Sequence, residues 1–253
     1  MSQGAAELFD LSGKVALVTG GSRGLGYEMA LAFARAGADV VIASRKADSC
    51  ARAAAAVEAL GRKGLAHACH VGDWTALDGL VDAAYAKFGK VDVLVNNAGM
   101  SPLYPSLAEV SETLWDKVLG VNLKGPFRLT ANVGTRMAAG AGGSIINVSS
   151  IAAIRPTPME TPYAAAKAGL NALTEAFAHA FGPKVRVNCI MAGPFLTDIS
   201  KAWDAKMVQY MENTSALRRA GNPDEVVGAA LYFASAASSF TTGAILRVDG
   251  GRP

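Results

Sequence analysis

Seven short runs rich in β-branched residues punctuate the chain: KVALVT (14–19), DVVIAS (39–44), LAHACHV (65–71), VDVLVN (91–96), SIINVS (144–149), VRVNCI (185–190) and AILRV (244–248). They are almost continuously apolar instead of alternating, which is how strands read when both faces of a parallel sheet are covered. Longer alanine-rich stretches of helical period separate them, with helices predicted over 24–36 and 47–60. Such alternation demands right-handed crossovers, and so an α/β doubly wound parallel sheet of about seven strands with helices on both faces. The run Asn222-Pro223-Asp224-Glu225 orders a cap, a first-turn proline and a capping glutamate, a helix-start signature. No linker or repeat divides the 253 residues, which read as a single domain (1–253) after a loose N-terminal extension over 1–12.

The composition excludes several functions. The formal charge is +3, and the basic residues are scattered in runs no longer than pairs such as Arg62-Lys63 and Arg218-Arg219. A nucleic-acid surface needs a clustered basic stripe, so no nucleic-acid partner is expected. Cys50, Cys69 and Cys189 form no CxxC pair and read as reduced thiols, two of them on predicted strands. His67, Cys69 and His70 lie close in sequence, but a strand would turn His70 away from the other two, so no metal is expected. MSQGAAELFDLSG lacks the features of a secretion signal, and no apolar stretch approaches the ~20 residues of a membrane span. A soluble, cytoplasmic protein without a membrane partner is expected.

TGGSRGLG (19–26) follows the first predicted strand and opens a helix, the context a nucleotide-binding turn requires. Small residues let backbone approach a pyrophosphate, and the helix N-terminus offers unpaired N–H groups. An NAD site needs an acidic side chain at the end of the second strand. Asp39 begins that strand instead, and its far end reads Ser44-Arg45-Lys46, with Arg23 in the turn as a further cation. Guanidinium groups grip a phosphate through paired hydrogen bonds. The expectation is NADP(H) in preference to NAD(H), although Arg45 and Lys46 also read as ordinary solvated charge. Farther on, TPYAAAKAGL places Tyr163 and Lys167 one helical turn apart, on one face. Alone, that pair reads as a tyrosine packed on a lysine stem.

The glycine turn has the spacing GxxxGxG, and the ordered set of motifs after it resembles the short-chain dehydrogenase/reductase family over nearly the whole chain. NNAG (96–99), VNLKG (121–125), Ser150 thirteen residues before a YxxxK at Tyr163 and Lys167, and VDGG (248–251) carry the likeness, which is to the 3-oxoacyl-ACP reductase-like members. The resemblance implies a single-domain Rossmann-type fold. It implies Tyr163 as general acid/base, Lys167 on the nicotinamide ribose with an influence lowering the phenol's pKa, and Ser150 on the substrate oxygen. Ser149 competes with Ser150, and the thirteen-residue gap selects the latter. Asn122 is implied to hold a water linking Lys167 to solvent. The implied cofactor contacts are Gly20, Ser22, Arg23, Gly24, Leu25, Gly26, Ser44, Arg45, Lys46, Val71, Asn97, Ala98, Gly99, Tyr163, Lys167, Pro194 and Thr197. Where relatives carry an aspartate for the adenine, this chain has His70; Asp73 reads as a helix cap. MAGPFLTDI (191–199) has Ala-Gly-Pro in place of the family's order.

The segment after it spaces Ile199, Trp203 and Met207 by four, followed by Tyr210 and Met211, an amphipathic helix within a substrate lid predicted over 194–215. Docking on the core is the other reading of that helix. Taken together, the chain reads as an NADP-dependent oxidoreductase moving a hydride between nicotinamide and a carbonyl or secondary alcohol, with a hydrophobic ketone or 3-oxoacyl thioester as substrate. The alternatives are a sugar-acid or polyol dehydrogenase, or a non-catalytic dinucleotide-binding regulator. The resemblance also implies a homodimer or homotetramer built on helices around 107–137 and 161–181.

Overall fold

The computed structural model describes residues 4–197, 200 and 205–252. Its strands are β1 (Val15–Thr19), β2 (Asp39–Ser44), β3 (Gly64–Ala68), β4 (Val93–Asn96), β5 (Gly143–Ser150), β6 (Val185–Ala192) and β7 (Ile245–Val248). They form one sheet in the order β3-β2-β1-β4-β5-β6-β7, every neighbouring pair parallel. The helices are α1 (Ala5–Leu8), α2 (Gly24–Arg35), α3 (Ala47–Glu58), α4 (Trp74–Phe88), α5 (Glu112–Leu119), α6 (Gly125–Ala139), α7 (Thr161–Phe181), α8 (Ala205–Thr214) and α9 (Val227–Ala234).

Both sheet faces are covered, as the unbroken apolar strands require. On one, Met29 and Phe33 of α2, Val57 of α3 and Phe233 of α9 pack against β1, β2 and β4. On the other, Leu77 and Leu80 of α4 and Leu129 and Val133 of α6 pack against alternate residues of the same strands. Each such side chain contributes about 1.5–3 kcal/mol of burial. Winding proceeds outward from β1 to β3 on one side and from β4 to β7 on the other. The chain therefore leaves a crevice above the carboxyl ends of β1 and β4, the place where doubly wound sheets bind ligands.

Local sequence accounts for several boundaries. The Asp73 carboxylate accepts from the Ala76 N–H at 3.0 Å and starts α4, and Gly89, at φ 75°, ends it. Glu225 accepts from the Asn222 N–H at 2.7 Å, as its spacing predicts, though the helix opens as a 3₁₀ turn (Pro223–Val226) before α9.

Three expectations need correction. The strand predicted over 65–71 stops at Ala68. Cys69 still donates its N–H to Ser44, but the His70 ring turns back to accept from the Gly72 N–H at 3.1 Å, so Cys69 and His70 lie in a turn. The long helix around 107–137 is broken into a 3₁₀ turn (Leu107–Glu109), α5, a π-helical turn (Gly120–Lys124) and α6. Nor are residues 4–12 loose throughout: Leu11 is buried in the core, and its N–H donates to Ala36 at 2.8 Å.

Candidate active site

The glycine turn needs its glycines for stated reasons. Gly20 and Gly24 have φ of 65° and 55°, conformations that disfavour any side chain. At Gly26 a Cβ would collide with the Asn97 amide and the Gly20 carbonyl. The Asn97 Nδ2 donates to the carbonyls of Thr19 and Gly20 at 3.0 and 3.3 Å, clamping the end of β4 onto the turn. Thr19 completes the clamp. Its hydroxyl donates to Val95 and accepts from the N–H groups of Asn97 and Ala98 at 3.1 and 3.2 Å.

Of the other cofactor candidates, Ser44 and Thr197 meet this turn directly. The Ser22 hydroxyl donates to that of Ser44 at 2.9 Å, joining the turn to the end of β2. The next residues along, Arg23 and Arg45, are both exposed, as is Lys46 at the N-cap of α3. Asp39 lies at the opposite end of β2, where it accepts from the Lys63 N–H at 2.8 Å and pairs with Arg62. Leu25 is half-buried against the core, and Val71 is buried. A Cβ on Gly24 would stand 3.5 Å from Cγ2 of Thr197, so that threonine sits across the turn. Pro194 accepts from the Gly221 N–H at 2.9 Å. Ile199 and Trp203 lie outside the described residues. Met207, Tyr210 and Met211 fall in α8, where Met211 is buried and Tyr210 is 59% exposed, so this helix docks through one side.

Ser150 ends β5, and α7 begins at Thr161-Pro162, with proline in the first turn. Of the two serines, Ser149 is buried and donates its hydroxyl to the Lys167 carbonyl at 3.2 Å, whereas Ser150 is half-buried and reaches the Tyr163 phenol. Lys167 is 3% exposed. Its Nζ donates to the Val148 carbonyl at 2.7 Å and lies 5.6 Å from the centre of the Tyr163 ring. Asn122 sits in the π-helical turn, donating Nδ2 to Met100 and Val118 at 2.8 and 2.9 Å and accepting at Oδ1 from the Met100 N–H at 3.2 Å. A Cβ on Gly99 would meet that Oδ1 at 2.9 Å and stand 3.6 Å from Lys167 Nζ. Gly99 thus leaves a passage flanked by amide and ammonium.

The electrostatics of the chain alone follow from burial. The Tyr163 phenol is pushed up to about 12, chiefly by burial; the Ser150 hydrogen bond pulls it back, and the charge of Glu160 raises it further. Burial lowers Lys167 to about 8. In the chain by itself, desolvation of the phenol is the largest influence on it. Sequence reasoning missed Glu160 and Thr19. Glu160, three residues before Tyr163, gave a readable signal as a carboxylate just ahead of the YxxxK.

Known proteins resemble this chain over nearly its whole length. The family model described as Enoyl-(Acyl carrier protein) reductase matches residues 20–252. Dehydrogenase/reductase SDR family member 4 of Pongo abelii is 37% identical over 255 residues, covering 100% of this chain and 92% of that protein. D-threitol dehydrogenase of Mycolicibacterium smegmatis is 38% identical, covering 96% and 94%. The crystal structure of a gluconate 5-dehydrogenase from Burkholderia cenocepacia, in complex with NADP and tartrate, superimposes with a TM-score of 0.93 at 33% identity, covering 98% of each chain. With its seven-stranded parallel sheet and full-length kinship, the chain belongs to the short-chain dehydrogenase/reductase family, oxidoreductases of alcohols and carbonyls that use a nicotinamide dinucleotide.

Proposed function

We propose that the protein is an NADP(H)-linked oxidoreductase interconverting a ketone and a secondary alcohol, with Tyr163 as general acid/base. The observation that carries this is the meeting of Ser150, Tyr163 and Lys167 at the carboxyl end of the sheet, on the same edge as the glycine turn. The dinucleotide fits the residues present: glycines that no side chain could replace, a helix N-terminus above them, and a serine pair with flanking arginines where a 2′-phosphate would lie. When bound it supplies the hydride and a positively charged ring that favours phenolate.

The chain's own residues do the rest. Ser150, in hydrogen-bonding reach of the phenol, orients the substrate oxygen and stabilises charge developing there. Tyr163 gives its proton to that oxygen or takes it back. Lys167, held at Nζ by Val148, would hold the ribose hydroxyls of the bound dinucleotide and return the phenol's proton, and Asn122 would hold a water connecting it to solvent. An apolar crevice wall of Pro102, Leu114, Val118 and Pro162 suits a hydrophobic ketone or 3-oxoacyl thioester. A polyol or sugar-acid dehydrogenase is the second reading, favoured by the D-threitol relative. A homodimer or homotetramer in the cytoplasm goes with this function; the aromatic row Trp74–Phe127–Phe177–Phe181 across α4, α6 and α7 is a surface suited to pairing.

The test is oxidation of NADPH and NADH across a panel of ketones, by the wild type and Tyr163→Phe. Turnover should fall at least about 100-fold in the variant while cofactor affinity is kept, the scale of losing an acid/base. Near-normal turnover would mean that another group moves the proton.

A further inference from the structure

Among the described residues, the crevice that Tyr163 lines contains a single carboxylate. It is narrow, with Tyr104, Leu114, Val118 and Pro162 on its walls and Glu160 lining it together with Tyr163. Glu160 is tethered at one carboxylate oxygen and along its backbone. Oε1 accepts from the Thr157 hydroxyl at 3.2 Å. The Tyr104 hydroxyl accepts from the Thr161 N–H at 2.8 Å and donates to the Pro158 carbonyl at 2.6 Å, pinning the backbone on both sides of Glu160. The groups that act on its charge come from three directions: Thr157 on its own loop, Tyr163 on α7, and Arg252 from the C-terminal segment, whose guanidinium packs 5.6 Å from the Tyr210 ring. Burial pushes the Glu160 carboxyl up from its ordinary value, while Thr157 and Arg252 draw it down.

We propose that Glu160 sets the substrate class, selecting carbonyl compounds that carry a hydrogen-bond donor, a hydroxyl or an ammonium, beside the reacting carbon and turning away carboxylic acids. The proposal rests on the functional reading above, because the reacting oxygen must meet the Tyr163 hydroxyl. A substituent next to that oxygen then falls against the fixed carboxylate. A donor there makes a charge-assisted hydrogen bond, stronger than a neutral one. A carboxylate there meets like charge in a partly desolvated crevice, a repulsive element of the kind that builds specificity. Within the second substrate reading, it favours a polyol or hydroxyketone over a sugar acid.

The experiment measures kcat/KM with NADPH for acetoin, butanone and acetoacetate, in wild type, Glu160→Gln and Arg252→Gln. Wild type should prefer acetoin to acetoacetate by about 100-fold, and Glu160→Gln should cut that ratio at least tenfold, one decade per 1.4 kcal/mol. Removing the anion should also move the pH-dependent rise of alcohol oxidation to lower pH by about half a unit, since a like charge no longer opposes phenolate; a merely structural role would leave it in place. An unchanged ratio in Glu160→Gln, or a ratio that moves only in Arg252→Gln, overturns the proposal while the enzyme's function stands. A wild type that oxidises NADPH with no carbonyl on any panel overturns the function and this inference together.

Discussion

Ser22 and Ser44 are far apart in sequence, yet their hydroxyls stand 2.9 Å from each other. That contact joins two separate sequence signals, a glycine turn and a strand end, whose next residues along are Arg23 and Arg45. Asp39, the acidic residue on β2, is spent at the other end of the strand on Lys63 and Arg62. The residue-scale prediction is that Arg45→Asp shifts the NADPH:NADH ratio of kcat/KM at least tenfold toward NADH. Hydrogen bonds to a charged group are worth about 1.5–3 kcal/mol, enough for that factor. Steady-state kinetics with both cofactors decides it, and a ratio that stays put removes Arg45 from the phosphate site. Tyr163, Lys167 and Ser150 stood out in the sequence because they match the fixed spacings of the family the chain resembles. Thr19 did not, because a hydroxyl that braces two N–H groups is defined by what lies across the fold, and the carboxylate of Glu160, though visible just ahead of the YxxxK, shows its place in the crevice only in three dimensions.

Among the elements, the helices illustrate what local sequence controls. α7 starts where Thr161-Pro162 places it, and α4 starts at Asp73, whose carboxylate caps it. Asp73→Ala should therefore lower stability by about 1 kcal/mol, a Tm loss of about 2–4 °C for a chain of this size. Calorimetry checks the loss, and the Kd for NADPH should stay within about twofold. A weakened Kd at unchanged Tm would make Asp73 an adenine contact instead of a cap. The π-helical turn between α5 and α6 is different. Its signals, Gly120 and Gly125 around Asn122, are visible in the sequence, but the reason for it is tertiary: Gly125 lies where a Cβ would run into the Val71 carbonyl, and Asn122 must reach Met100. The strand predicted through Val71 ended early for a similar reason, because the His70 ring folds back onto the Gly72 N–H.

Across the whole molecule, the site exists because the winding reverses between β1 and β4, bringing β5 and α7 over the crevice with an amine buried beneath them. Lys167 has a folded pKa near 8 against an ordinary 10.5. Between those values the unfolded chain binds more protons than the folded one, so stability rises with pH through that window. Relative to Lys167→Met, the wild type should gain on the order of 2 kcal/mol between pH 8 and pH 10, read from denaturant midpoints. Equal gains in both proteins would show that burying the amine carries no such cost. The sequence by itself determined the layering, the strand directions and the order of the motifs, since these follow from apolar runs, helical periods and turn residues that act over a few positions. Only the tertiary structure decided which serine faces the phenol, how far burial raises that phenol's pKa, and which carboxylate stands beside it, because desolvation and through-space charge depend on segments that the linear order keeps apart.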